Sequence, residues 1–240
     1  MIDDQPPASA TLLMLRDDPL EVLMVRRNAR GTFASSLVFP GGAIDAADYD
    51  NEWAGLVEDF ADFDDDERAR RIGAIRETWE ESSMLVGAVG VVPAAGAESG
   101  VGFRQFLERA GVRLRLGELT NFAHWITPVS EPRRFDTSFF VAQAPAGQGA
   151  VADGTEIVGV EWVSPSAAAA AAHRHEVPII FPTLMNLERL AESTGTTEAI
   201  AAARARPHYT VRPVFERAPD GSRVITIPAE AGYSVTRFVP

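Results

Sequence analysis

Residues 72–86 constrain this chain more than any other stretch, because only a helix sorts their two kinds of side chain onto separate sides. At about 100° per residue, Ile72, Ile75, Trp79 and Val86, with the small Ser82 among them, gather on one side. Glu77, Glu80 and Glu81, at i, i+3 and i+4, fall opposite them within a sector of roughly 100°. Such a helix has one face for a core and one for acid, so it must cover a larger layer. Like charges at this spacing destabilise an isolated helix by about a few tenths of a kcal/mol per pair. A cation with oxygen ligands, Mg²⁺ or Mn²⁺, would relieve that repulsion. By spacing alone, a solvated acidic face is the commoner origin of such a stripe.

The surroundings of the stripe change those odds. Upstream, Leu37 to Phe39 reads as a short strand that ends in Pro40-Gly41-Gly42, a turn that brings backbone close to a ligand. The run Gly42-Ala43-Ile44-Asp45-Ala46-Ala47-Asp48, followed by Arg76-Glu77-Thr78-Trp79-Glu80-Glu81-Ser82-Ser83-Met84, resembles the Nudix box. That box reads glycine, five residues, glutamate, seven residues and REUxEExGU. Asp48 stands where the family has its first glutamate, Thr78 replaces an aliphatic residue and Ser83 a glycine. Residues 49–75 occupy the place of the seven-residue spacer. The long spacer resembles the branch that cleaves coenzyme A and acyl-coenzyme A, in which FPGG, an acidic turn and a tryptophan such as Trp53 precede a displaced helix, here Ala74 to Glu81.

The resemblance implies an α/β fold, the Nudix α/β/α sandwich with a mixed sheet, and a hydrolase that cleaves a diphosphate linkage. Glu77, Glu80, Glu81 and the Gly41 carbonyl would hold Mg²⁺ or Mn²⁺, which lowers the pKa of a bound water for in-line attack on phosphorus. Glu77, Glu80 and Arg76 are the catalytic residues it implies, Arg76 orienting the carboxylates through an ion pair for which Asp48 is a candidate. Glu156 and Asp153 are candidates for a further carboxylate, and ordinary loop acids fit them at least as well. Arg26, Arg27 and Arg30 precede the turn, and Arg133 and Arg134 begin a later strand. Arginine forks suit phosphate groups, including a 3′-phosphate on adenosine. Arg26, Arg30 and Arg134 are put forward as substrate-binding, although surface roles fit them equally. Coenzyme A or acyl-coenzyme A is the preferred substrate. ADP-ribose or a dinucleotide is the alternative, and a non-catalytic ligand-binding or regulatory domain is the competitor.

Composition excludes other classes. A net charge of −12 argues against a nucleic-acid-coating surface. With no cysteine there is no disulfide or thiolate chemistry, and 46% hydrophobic content suffices for a core. No apolar run approaches a membrane span, and Met1 to Ala8 carries Asp3 and Asp4 where a secretory signal would be basic and then apolar. These features predict a cytoplasmic protein with no nucleic-acid or membrane partner; the resemblance implies a small nucleoside-diphosphate-linked partner, and a homodimer through the C-terminal hairpin is left open.

Element by element, Ala8 to Arg16 and Glu21 to Arg27 read as a hairpin, and a short helix is expected around Trp53 to Phe60. The acidic residues from Glu58 to Asp66 are read as solvated in preference to a second metal site. Val101 to Ala110 suggests a helix, and Leu119 to Thr127, Arg134 to Ala144 and Glu156 to Val163 strands. Pro165 opens a helix through the alanine run 167–172 with Ser164 as N-cap, and Pro182 to Ala191 forms another around Leu184, Leu187 and Leu190. Thr210 to Arg217 and Ser222 to Ile227 flank Ala218-Pro219-Asp220-Gly221, a hairpin signal. His124, Trp125 and Phe135 to Phe140 read as core more than as a base-stacking platform. The expected layout is one domain over 1–240, with a core of about 8–173, an insertion at 49–72 and an extension from about 174.

Overall fold

A computed structural model describes residues 5–29, 35–94 and 101–239. Its strands are β1 (Ala8–Arg16), β2 (Glu21–Arg27), β3 (Leu37–Val38), β4 (Gly41–Ala43), β5 (Ala88–Val89), β6 (Arg113–Leu114), β7 (Thr120–Ile126), β8 (Asp136–Gln143), β9 (Ile157–Val163), β10 (Thr210–Val211), β11 (Val214–Arg217), β12 (Arg223–Thr226) and β13 (Arg237–Phe238). The helices are α1 (Asp65–Ser82), α2 (Phe103–Ala110), α3 (Pro165–His173), α4 (Phe181–Leu190) and α5 (Thr196–Ala205). The main sheet runs β10-β7-β8-β1-β2-β3, with β4 also on β1 and β9 also on β2. It is mixed: β1 lies parallel to β8 and antiparallel to β2 and β4.

Alternation in the central strands feeds two cores. Leu13, Leu15, Val22 and Met24 pack towards α3, α4 and α5, while Leu12, Met14 and Leu23 pack towards α1 and α2. The result is the α/β/α sandwich. Leu184, Leu187 and Leu190 of α4, with Ala199 and Ala203 of α5, sit in the first core, so the segment after residue 173 closes one face of the sheet. On the other face Ile72 and Ile75 of α1 are fully buried. Burial of each is worth about 1.5–3 kcal/mol, which outweighs the glutamate repulsion on the opposite side.

Several local expectations change. Residues 46–62 hold three short 3-10 turns, Ala46–Tyr49, Asn51–Gly55 and Phe60–Asp62, where one helix around Trp53 to Phe60 is expected. α1 begins at Asp65, so the last part of the expected insertion at 49–72 is helical. Its acidic run starts that helix: Asp64 caps it by accepting from the Glu67 amide at 2.8 Å, and Asp65, Asp66 and Glu67 occupy the positive end of the helix dipole. Val86 falls beyond the helix and still reaches the core. The strand expected over 210–217 is two pieces, β10 in the main sheet and β11 in a separate sheet with β12 and β13. Ser164 precedes α3 but makes no side-chain cap bond, its hydroxyl pairing with that of Ser166 at 3.0 Å.

Ser83 explains one departure from the family pattern. It ends α1 in the left-handed conformation, φ 58°, with its amide donating to the Trp79 carbonyl at 2.8 Å. Any residue with a Cβ strains there, and glycine does not. Ser83→Gly is therefore expected to stabilise the fold by about 1 kcal/mol, raising Tm by roughly 2–4 °C in calorimetry. An unchanged or lower Tm would contradict that account.

Candidate active site

Two glycines let a strand slide beneath the acidic face of α1. β4 pairs with β1 so that Gly41 lies opposite Thr11 and Gly42 opposite Ala10. A Cβ on Gly41 would come within 2.7 Å of the Thr11 Cα, and one on Gly42 would overlap the Glu77 carboxylate. Backbone and carboxylates thus meet directly. The Gly41 amide donates to Glu81 Oε2 at 3.0 Å. Thr78 and Ser82 hold the helix from its buried side, donating to the Ala74 and Thr78 carbonyls at 2.7 and 2.6 Å.

Arg76 organises the remaining acids. Its Nε and Nη2 donate to the two carboxylate oxygens of Asp48 at 3.0 and 2.9 Å, and Nη2 also reaches the Ala43 carbonyl at 3.0 Å. Its Nη1 donates to Glu77 at 2.6 Å and to Glu80 at 3.2 Å. Asp48 is buried, and its Oδ2 also accepts from the Asp45 amide at 2.9 Å. Burial alone would lower the pKa of Arg76, but Asp48 and Glu77 hold it above its ordinary value. One buried guanidinium therefore ties the post-turn segment to the first two glutamates.

Arg27 approaches from the sheet. It pairs with Glu156 and lies 3.8 Å from Glu81. Neighbouring strand residues point to opposite faces, so Arg26 turns to the α3–α5 side and pairs with Glu161 on β9 at 2.6 Å. The structure thus brings Glu77, Glu80, Glu81, Arg76 and Gly41 together, links Glu156 to them through Arg27, and places Arg26 on the other face. Arg134 lies in the β7–β8 connection, at the Ala8 end of β1, where its Nε donates to the Thr127 carbonyl at 3.3 Å. Thr11, the partner of Gly41, is three residues further along that strand, or about 10 Å. Arg30 lies outside the described residues. Asp153 closes its own turn, accepting from the amides of Thr155, Glu156 and Ile157. The residues sequence reasoning underrated are Arg27 and Asp48. Strand parity with Leu23 was the available signal for the first.

Electrostatically the site is acid-rich. Asp45, Asp48, Glu77, Glu80, Glu81 and Glu156 meet two guanidinium groups, Arg76 and Arg27. Burial raises the pKa of Glu77 and Glu80 despite Arg76, and pushes Glu81 up to about 8, with Glu77 adding to the effect against the Gly41 amide. All donors are oxygen, the choice of a hard divalent cation, and negative charge is in excess, so the residues fit such an ion. Among the described residues no three carboxylates already converge as a cage; Glu77 and Glu80 are turned to Arg76.

The family described as the NUDT19 Nudix domain matches residues 62–190, more than half of the chain. The chain belongs to the Nudix hydrolase family. The matched span contains the Nudix helix α1, whereas Arg27, Gly41 and Asp48 precede it and reach the glutamates through the fold. A Nudix hydrolase from Alicyclobacillus acidocaldarius has a similar structure, with a TM-score of 0.71 and 27% identity over 82% of this chain and 96% of that one. Among characterised relatives, the acyl-coenzyme A diphosphatase NUDT19 of Xenopus laevis is 26% identical over 74% of this chain and 61% of its own length. The human NUDT19 acyl-coenzyme A diphosphatase is 26% identical over 80% of this chain and 64% of its own. This Nudix chain thus spans about three-fifths of those relatives.

Proposed function

We propose that this Nudix chain is a divalent-metal-dependent diphosphatase that hydrolyses coenzyme A or acyl-coenzyme A. The observation that carries the reading is the packing of Glu77 and Glu81 against the Gly41-Gly42 backbone, with Glu80 tied beside them by Arg76 and more carboxylates than guanidinium groups. The names of the similar NUDT19 proteins support the substrate.

Glu77, Glu80 and Glu81, with the Gly41 carbonyl, would hold Mg²⁺ or Mn²⁺; when bound, the ion supplies charge neutralisation at the diphosphate and Lewis-acid activation of water. The chain's own residues supply position. Arg76, locked by Asp48, fixes the Glu77 and Glu80 carboxylates, and the Gly41 amide fixes Glu81. Arg27 stands on the same face, where its fork would bind phosphate oxygens and free Glu156 as a further carboxylate. Fixed charges that need no reorganisation account for most of the rate in such a transfer. Water adds across the P–O–P bridge, releasing 3′,5′-ADP and the phosphopantetheine arm.

The test is an assay of purified protein with Mg²⁺ or Mn²⁺ against coenzyme A, an acyl-coenzyme A, ADP-ribose and NADH. Metal-dependent release of 3′,5′-ADP from the coenzyme A substrates, abolished by a chelator, is expected. Faster turnover of ADP-ribose or NADH would reassign the substrate. Metal binding with no turnover of any of the four would sink the enzyme reading.

A further inference from the structure

A polar cavity lies away from the glutamates. It occupies about 270 Å³ between the first turns of α1, strand β7 and the end of α5, and its lining includes Glu67, Arg70, Arg189 and Arg206, with the imidazoles of His124 and His208. Arg70 is seven residues before Glu77 on α1, about 10 Å along the helix axis. In a protein of net charge −12, three arginines and a single carboxylate, Glu67, around one small cavity are a local reversal of charge.

The carboxylates of this region are already engaged. Glu67 accepts from Arg71 and Asn121 at 2.9 and 3.2 Å. Asp136, behind the lining, accepts from Arg70 at 3.0 Å and pairs with His124 at 2.5 Å. Two guanidinium donors are left over. Arg189, on α4 and 5% exposed, gives Nη2 to the Ala231 carbonyl at 2.6 Å and lies 3.3 Å from the Tyr233 ring centre, while its Nε has no acceptor among the described residues. Arg206 has an ion-pair contact with Glu192 at 3.9 Å, yet its buried Nη1 also has no acceptor. Burial, and to a lesser extent Arg206, hold the Arg189 pKa below its ordinary range. A buried donor without an acceptor costs about 1–3 kcal/mol, more when charged. Both side chains line the same cavity, and their adjacent like charges favour an acceptor that is itself negative.

We propose that this cavity is an anion site that takes a phosphate group between Arg189 and Arg206, separate from the acidic site over Gly41-Gly42. Its volume suits a phosphate with a small substituent and is below that of pockets that enclose a whole cofactor, about 300–1,000 Å³. The phosphate could come from free inorganic phosphate or from the phosphomonoester of a nucleotide, and the two sources share this chemistry. The inference does not depend on the diphosphatase reading.

The experiment is calorimetric titration of the full chain with inorganic phosphate and with 3′,5′-ADP, in EDTA so that no metal recruits either to the glutamates. Binding of at least one is expected, weakened about tenfold or more by Arg206→Gln, a change at a partly exposed side chain. Arg189→Gln is expected to act in the same direction; if it fails to fold, the Arg206 variant decides. Binding of inorganic phosphate identifies the free ion as a sufficient ligand, and binding of 3′,5′-ADP alone identifies a nucleotide phosphomonoester. No heat with either probe, or equal affinity in wild type and a folded Arg206→Gln protein, overturns the proposal. Loss of turnover in the metal-dependent assay would leave this result untouched, so the two readings fail separately.

Discussion

Glu81→Gln is expected to lower turnover of the preferred diphosphate substrate by about 10³-fold, the scale set by removal of one fixed charge from a transition-state site. The fold is expected to survive, because glutamine keeps the shape and still accepts from the Gly41 amide, the contact wild type makes at 3.0 Å. The variant should also differ in its response to pH. Burial pushes the Glu81 carboxyl up from 4.5 to about 8, so the metal-free folded state favours its protonated form. The stability from this group is fully present below about pH 4.5 and is lost as pH rises through about 8. Metal-free wild type should therefore lose Tm between pH 5 and 9 more steeply than Glu81→Gln does. Thermal unfolding in EDTA across that range checks the sign. Parallel profiles would remove Glu81 as the buried titrating group, and an active, folded variant would remove it from the site.

Arg76→Ala should produce the largest loss of stability. Asp48 has a side chain 1% exposed and receives two bonds from this guanidinium. Removing the arginine leaves a buried carboxylate with its main counter-charge gone, which costs about 3–5 kcal/mol. For a chain of this size that is a fall in Tm of about 10 °C. Turnover should fall as well, since Glu77 and Glu80 lose the donor that positions them. Asp48→Asn placed on top of Arg76→Ala is expected to recover part of the Tm and none of the activity, because it removes the stranded charge without restoring the donor. A double-mutant cycle measures the coupling directly. A fall in Tm below about 2 °C would show that this pair does not hold the turn to α1.

Most of the fold was legible where one periodicity dominated. β1 and β2 lie over the residues expected, since their apolar runs are bounded by the polar turn around Asp17-Asp18-Pro19. α3 and α4 follow their proline starts within a residue or so. α5 was missed because its buried face is built mainly from Ala199 and Ala203, with Thr196 at its start, and Ile200 is its single large apolar side chain against the core. The start of α1 carries no apolar periodicity for a related reason: its first turn is Asp65, Asp66 and Glu67, and the Asp64 cap is what marks it. Thr210 and Val211 looked continuous with the hairpin that follows, but pairing with His124 and Trp125 draws them to the edge of the main sheet.

At the site, helical spacing by itself determined that Glu77, Glu80 and Glu81 share a face, because residues at i, i+3 and i+4 are neighbours whatever surrounds the helix. The glycine pair likewise marked where backbone would approach them. Only the tertiary structure decided which other groups arrive. Asp48 reaches Arg76 across 28 positions of chain, and Arg27 rather than Arg26 faces Glu81. It also decided that Arg189 and Arg206 share a cavity with Arg70. Spacing along one element sets local geometry, whereas the meeting of distant charges depends on how the sheet and its two helical layers bury their apolar faces, which no local pattern encodes.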